Sequence, residues 1–288
     1  VVRGCILTSD GIVLAETKTD ESGEEYRYYP LGNMYCHVVG LNLSKSGVEG
    51  QENYELLSTN GNIIEELTNE LKGKKSAGND VVLTIDSKLQ KAAYDALGNN
   101  KGAVVAMEPS TGKILAMVSK PDYDPNDYQN ADSEIYNRNL PIWKSYEPGS
   151  TFKIITFSSA LNEKLFDMDK DTYYDKGYEI VGGARIKSWK KGGHGLQTFR
   201  EVLQNSSNPG FVEIGRRIGK DRLYDYVKKF GLTEKTGVDL TGESSGIMFS
   251  YENFNEVEQA TVAFGQGISI TPIQLVRAVC ACVNGGYL

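Results

Sequence analysis

Gly102-Ala103-Val104-Val105-Ala106-Met107-Glu108-Pro109-Ser110-Thr111-Gly112-Lys113-Ile114-Leu115-Ala116-Met117-Val118 is the stretch whose reading decides the fold. Its two apolar runs, Ala103–Met107 and Ile114–Val118, suit a pleated, half-buried surface. Between them Pro stands near the start and Gly near the end, the composition of a turn. The segment reads as two strands of one hairpin. Upstream, Val81-Val82-Leu83-Thr84-Ile85 is another β-type run. Leu89, Ala92, Ala93, Ala96 and Leu97 follow at i, i+3, i+4, i+7 and i+8, one apolar face of a helix. Downstream, a segment rich in Asp, Asn, Tyr and Pro runs to about Pro148, and helical patterns dominate after it. Asn208-Pro209 opens one helix, with Asn208 as N-cap and Pro209 at the first helical position. Thr271-Pro272 opens another, and Gly285 falls where its C-terminal cap belongs. A sheet followed by a large helical section is an α/β or α+β enzyme-like domain.

The first 80 residues or so have a different texture, polar and punctuated by glycine. Cys5-Ile6-Leu7 and Ile12-Val13-Leu14 flank Thr8-Ser9-Asp10-Gly11, a hairpin signal. Ile63, Ile64, Leu67 and Leu71 are spaced like a helix face over 62–72. Residues 72–80 are charged, contain Gly and read as a linker. The expected division is therefore 1–79 and 80–288, and 288 residues suffice for two domains with sizeable cores.

With 40% hydrophobic and 24% charged residues the composition is globular. Net charge is −7, and the absence of a long basic stripe argues against nucleic acid as a partner. Cys5, Cys36, Cys280 and Cys282 form no C-x-x-C pair, and His37 and His194 are far apart, so no metal site is expected. Cys5 and Cys36 can meet only if their segments pair. No apolar run reaches the roughly 18–20 residues that span a bilayer. The start at Val1 reads as a cut from a longer protein.

Glu147-Pro148-Gly149-Ser150-Thr151-Phe152-Lys153 carries the strongest chemical signal. Pro-Gly precedes a helical pattern, so Ser150 is expected at a helix N-terminus with Lys153 three residues on, on the same face. A lysine held neutral by burial or positive potential can take the serine proton. Free N–H groups at the helix start favour an oxyanion. Ser-x-x-Lys also occurs at Ser110–Lys113, in the hairpin turn, and at Ser188–Lys191, in a glycine-flanked exposed loop. Only Ser150 has a loop-to-helix context. Its bland reading is a helix-capping serine with a solvated lysine. Ser206-Ser207-Asn208 supplies a second hydroxyl and an amide that can relay a proton and position a carbonyl, although Ser and Asn are also the usual residues before a helix. Ser58-Thr59-Asn60 has the same spacing in the wrong part of the chain. Lys45-Ser46-Gly47 and Lys235-Thr236-Gly237 are the Lys-Thr/Ser-Gly matches. The first lies in the N-terminal part and the second in a turn-like stretch, so neither is expected to be catalytic.

Taken in order, these segments resemble the penicillin-binding proteins, whose motifs are Ser-x-x-Lys, Ser-x-Asn and Lys-Thr-Gly. Arg3-Gly4-Cys5-Ile6 with Asp10-Gly11, then Tyr29-Pro30-Leu31-Gly32, His37-Val38-Val39-Gly40 and Gly50-Gln51-Glu52, are similar to the opening and pedestal segments of the class B members. Leu83-Thr84-Ile85-Asp86, the 102–119 hairpin, Pro121-Asp122-Tyr123-Asp124-Pro125-Asn126, Tyr146–Lys153, Gly265-Gln266-Gly267 and Thr271-Pro272 look like successive transpeptidase landmarks.

The resemblance implies an α+β, multi-domain chain: a small β-rich pedestal and a β-lactamase-like domain with a central antiparallel sheet and a helical subdomain. It implies that Ser150 attacks the D-Ala-D-Ala carbonyl of peptidoglycan stem peptides, Lys153 acts as base, and Ser206 and Asn208 assist. β-Lactams would acylate the same serine, with no cofactor and no metal. The opening segments look most like Gram-positive elongation or sporulation types. These carry an N-terminal membrane anchor, work outside the cell membrane and pair with a membrane glycosyltransferase. In the family a catalytic Lys-Thr/Ser-Gly strand follows the Thr271-Pro272 helix, so the domain is expected to be incomplete at its C-terminus, with weak or no turnover. A serine β-lactamase would need a Glu-x-x-Leu-Asn loop, and Ser158-Ser159-Ala160-Leu161-Asn162 lacks the Glu. The alternative from another class is a non-catalytic scaffold or β-lactam-binding sensor.

Overall fold

The computed structural model describes residues 1–59, 71 and 75–288. Ile63, Ile64 and Leu67 of the expected 62–72 helix, and residues 72–74 of the expected linker, lie outside the described residues. The chain divides into two compact units: Val1–Lys144 with Gly237–Glu243, and Ser145–Thr236 with Ser244–Leu288.

In the first unit, β1 (Ile6–Leu7) and β2 (Val13–Thr19) form the expected hairpin, with Ile6 opposite Ala15. Gly11, at φ +85°, supplies the left-handed backbone of its turn, and its N–H reaches the Thr8 carbonyl. β3 (Glu25–Tyr28) extends the sheet on one side. On the other side β4 (Val81–Val82) runs parallel to β1, giving the order β3-β2-β1-β4. The β-type run 81–85 is therefore strand only over its first two residues. Beyond them Thr84 turns its hydroxyl to the Ile114 carbonyl, and Asp86 caps the helix Ser87–Leu97 through the Leu89 N–H. Beneath the sheet Glu49 is wholly buried and receives the Nε atoms of Arg3 at 2.7 Å and Arg27 at 2.6 Å. A buried carboxylate survives because two guanidinium groups replace its water.

β5 (Gly102–Met107) and β6 (Ile114–Lys120) form the expected hairpin, Val104 opposite Val118. The Ser87–Leu97 helix docks on it in an unexpected way. Leu89 of the apolar stripe stays more than a third exposed, while Gln90 is fully buried. Its amide oxygen accepts the Met117 N–H at 2.8 Å, and its nitrogen donates to the Met117 and Met34 carbonyls at 2.8 and 3.0 Å. One side chain thus completes the hydrogen bonding of an open strand edge.

The second unit is mainly helical around an aromatic core of Phe152, Phe157, Phe166, Phe199 and Phe211. Phe166 and Phe199 stack with centroids 4.2 Å apart. The helix Asn208–Ile218 runs through this core and buries Phe211, Val212, Ile214 and Ile218. Three two-stranded sheets flank it: β7 (Thr172–Asp175) with β10 (Gly195–Thr198), β8 (Tyr178–Val181) with β9 (Ala184–Lys187), and β11 (Ile247–Met248) with β12 (Ile268–Ser269). The helix Pro272–Val283 has the expected Thr271 N-cap, strengthened by a capping box with Gln274, and Gly285 follows it at φ +93°. Among the described residues no helix is long and apolar enough to cross a membrane. All four cysteines are free thiols.

Candidate active site

Ser150 and Lys153 lie at a junction of two helix types. Gly149–Phe152 is a turn of 3₁₀ helix, and the α-helix Lys153–Asn162 begins where it ends. Ser150 therefore precedes the α-helix instead of standing at its first position. The 3₁₀ geometry still serves the pair, because three residues per turn bring i and i+3 onto one face. The Ser150 side chain is exposed, whereas Lys153 is 2% exposed. Lys153 is thus an interior group.

Its ammonium group has three donors, and each meets an acceptor. They are the Ser206 carbonyl at 2.8 Å, the Ser206 hydroxyl at 2.9 Å and Asn208 Oδ1 at 2.7 Å. The Phe211 ring centroid lies 5.1 Å from Nζ. Burial pushes the Lys153 amine down to about 8. If the amine loses its proton, it keeps two donors and gains a lone pair. Of its partners, the carbonyl and Oδ1 can only accept, so the Ser206 hydroxyl is the one that can turn and donate to nitrogen. The cluster accommodates both protonation states by rotating a single O–H.

The backbone around Ser206 explains how it reaches Lys153. Ser206 sits at φ +50°, a conformation that costs a non-glycine residue free energy. It is not the helix cap. That role belongs to Ser207, whose hydroxyl accepts the Gly210 N–H at 3.2 Å. The expected cap at Asn208 is displaced by one residue, so Asn208 becomes the first helical residue and Pro209 the second. The shift frees the Asn208 amide for Lys153. Ser207 is fully buried and also donates to Asp175 Oδ2 at 3.0 Å, while Asp175 Oδ1 accepts the Gly177 N–H at 2.7 Å. Asp175 carried no sequence signal, since a lone Asp before a turn is ordinary.

The Ser150 turn is framed from a distant stretch of the same unit. Gly149 N–H donates to the Gly265 carbonyl at 2.9 Å, Gly267 N–H donates to Glu147 Oε1 at 2.9 Å, and Tyr146 bridges Ile270. Gly265 has φ +82°, and a Cβ there would lie 2.1 Å from the Gly149 carbonyl oxygen. The doublet Gly265-Gln266-Gly267 is the sequence signal of this frame. The other pattern matches stand apart from it. Ser110–Lys113 lies in the β5–β6 turn, Ser188–Lys191 in a loop after β9, and Lys235-Thr236-Gly237 in irregular backbone. Ser159 faces inward and bonds the Ile155 carbonyl of its own helix.

An exposed serine one turn before a buried, depressed lysine that is held by a second serine and an asparagine is the arrangement of serine acyl-transferring enzymes. Residues 102–288 match the model of the penicillin-binding protein transpeptidase domain, and residues 3–81 match that of the penicillin-binding protein A dimerisation domain. The chain belongs to the penicillin-binding protein transpeptidase family. It is 48% identical over 287 residues to stage V sporulation protein D of Bacillus subtilis, covering 92% of this chain and 44% of that protein. The chain thus spans less than half the length of this curated relative. Its fold matches the D,D-transpeptidase domain of a peptidoglycan glycosyltransferase from Eggerthella lenta, with a TM-score of 0.84 at 31% identity over 97% of this chain and 69% of that one. It also matches the imipenem acyl-enzyme of penicillin-binding protein A from M. tuberculosis, with a TM-score of 0.86 at 27% identity over 99% of this chain and 71% of that one. These matches make the chain an α+β member of that fold family.

Proposed function

We propose that this chain is the pedestal and transpeptidase region of a peptidoglycan D,D-transpeptidase, with a pedestal over 1–79 and the transpeptidase domain from 80 onward. The observation that carries the reading is the buried Lys153 amine, held by Ser206 and Asn208 one turn from the exposed Ser150.

In this reading the Lys153 lone pair takes the Ser150 proton as Oγ attacks the penultimate D-Ala carbonyl of a stem peptide. The Ser150 N–H, at the start of the 3₁₀ turn, is the donor that this reading assigns to the oxyanion. Asn208, with Oδ1 on Lys153, turns its NH₂ toward the substrate carbonyl. Collapse of the tetrahedral intermediate breaks the C–N bond. The proton passes from Lys153 through the Ser206 hydroxyl to the departing D-alanine nitrogen. The amine of a neighbouring stem peptide then attacks the ester and regenerates Ser150, leaving a crosslink. A β-lactam follows the first half of this course and stops as an acyl-enzyme. The proposal extends, by the family resemblance, to action at the outer face of the cell membrane, an N-terminal anchor, a membrane glycosyltransferase partner and a sporulation or elongation role.

Intact-mass spectrometry after incubation with penicillin G tests the reading. One adduct is expected on the protein and none on Ser150→Ala. An adduct that persists in Ser150→Ala, or none on either protein, counts against it.

A further inference from the structure

The loop that follows β9, residues 188–194, has features that the chemistry at Ser150 does not use. Trp189 is 70% exposed, the second most exposed aromatic of its unit's internal loops and strands being Tyr174 at 64%. An indole in water is informative, because a ring of that size normally finds cover. Trp189 is nevertheless held in place. Its Nε1 donates to the Asn205 carbonyl at 2.8 Å, and the His194 ring meets it edge-on with centroids 5.3 Å apart. Asn205 immediately precedes Ser206, the residue that holds Lys153. The far side of the loop is pinned as well. Gly193, at φ +79°, passes so close to the β7 turn that a Cβ would lie 2.2 Å from the Asp175 carbonyl, and the Asp175 carboxylate receives Ser207. The loop is therefore referenced to the Ser206–Asn208 segment from both ends, and the indole stays largely exposed.

Its charge differs from that of the rest of the molecule. Between residues 176 and 194 lie five basic side chains (Lys176, Arg185, Lys187, Lys190 and Lys191) against one acidic, Glu179, in a chain of net charge −7. Glu179 is already engaged by Tyr173 and Arg216. Lys187, Lys190 and Lys191 are exposed, and among the described residues no carboxylate lies within ion-pair distance of them. A solvated lysine needs no partner. Two lysines directly beside an exposed, fixed indole that is hydrogen-bonded to the residue before Ser206 make a surface that favours a flat or aliphatic group carrying a carboxylate.

We propose that Trp189, Lys190 and Lys191 form a substrate subsite that takes a carboxylate-bearing part of the peptide whose reactive end lies at Ser150. The inference rests on the reading of Ser150 as the acylated nucleophile. The indole covers the peptide's apolar stem, and the ammonium groups pair with its side-chain carboxylate. A penicillin, which is far smaller than such a peptide, does not need the subsite.

The test uses the protein with Trp143→Phe, which leaves Trp189 as the single tryptophan of the two in the chain, and Ser150→Ala, which prevents turnover. The probes are a synthetic pentapeptide ending in D-Ala-D-Ala with a free side-chain carboxylate, and its side-chain carboxamide twin. Saturable change of Trp189 fluorescence by the carboxylate peptide is expected, with the twin binding about three- to tenfold more weakly at low salt and the gap narrowing as salt is raised. Lys190→Glu with Lys191→Glu removes the preference, while the penicillin acylation rate of the same double variant in the Ser150 protein stays within about twofold of its parent. Equal binding of the twin peptides, or a preference that survives the charge reversal, overturns the subsite. A failure of penicillin to acylate the Ser150 protein would instead overturn the nucleophile reading. The peptide preference, read without Ser150, still decides the subsite in that case.

Discussion

Nζ of Lys153 lies 2.8 Å from the carbonyl oxygen and 2.9 Å from the hydroxyl oxygen of Ser206, so one residue at φ +50° meets the lysine with both its backbone and its side chain. The carbonyl can only accept, while the hydroxyl can reverse its bond. That difference sets what the site does as protons move.

The first expectation concerns pH. Burial holds Lys153 near 8, so most of it is protonated at neutral pH. The base form grows about tenfold per pH unit below that value and saturates above it. Penicillin acylation should therefore rise about tenfold from pH 6 to pH 7 and level off above about 8. Stopped-flow acylation rates measure it, and a flat profile across this range excludes Lys153 as the base.

Stability follows pH through the same group. The folded-state value lies below the ordinary 10.5 of the unfolded chain. Below about 8 both states carry the proton, and the fold bears the full cost of a buried cation. Between the two values the unfolded state binds more protons, so unfolding free energy rises with pH, by at most about 1.4 kcal/mol per unit. From pH 8 to pH 10 the urea midpoint of the wild type should rise more, or fall less, than that of Lys153→Met. An identical pH response in the two proteins contradicts the assignment.

Ser206 and Ser207 are neighbours with opposite duties. Ser206→Ala should slow acylation by about 10²-fold or more, with a stability loss of about 1–3 kcal/mol from the donor it orphans on buried Lys153, whereas Ser207→Ala should leave the rate much closer to that of the parent. Ser207→Ala removes the cap on Gly210 and a partner of buried Asp175, and should cost about 1–3 kcal/mol of stability. Measuring rate and stability on both variants separates the roles. A Ser206→Ala protein that is destabilised but reacts normally would reverse them.

Gly265→Ala tests the frame of the Ser150 turn. The added methyl would meet the Gly149 carbonyl at 2.1 Å on a backbone at φ +82°. The Ser150 turn must shift, and a displacement of about 1 Å is worth about 10²-fold in rate. Circular dichroism should remain native-like while acylation falls. Unchanged acylation would mean that the turn is positioned by other contacts.

Gln90→Leu leaves both polar groups of Met117 facing an apolar side chain. The expected loss is about 1–3 kcal/mol per orphaned group, read as a fall in the urea midpoint. A neutral effect would show that water fills the gap.

Much of the site was legible in the sequence because its residues are local. Ser150 and Lys153 share one turn, and Ser206 and Asn208 flank one cap, so spacing alone brought each pair together. That the two pairs meet is a tertiary fact, which the family resemblance supplied and periodicity did not. The cap itself was misread by one residue, because Ser and Asn have nearly equal preferences and only the Gly210 contact separates Ser207 from Asn208. The Ser87–Leu97 helix was found by its apolar spacing, yet it docks through Gln90. A polar residue that imitates backbone leaves no mark in a hydrophobic pattern.

The Gly265–Gly149 contact also bears on how the protein is made. Gly267 and Glu147, part of the same frame, are 120 residues apart along the chain. During synthesis the Ser150 turn leaves the ribosome long before the glycine stretch that props it, and at about 5–20 residues per second that delay lasts seconds. In the proposed reading the nucleophile is thus born unassembled, and reactivity toward β-lactams would be acquired only when a late segment closes on an early one. Covalent labelling by penicillin would then report more than the presence of Ser150. It would mark the molecules in which the chain has completed that closure.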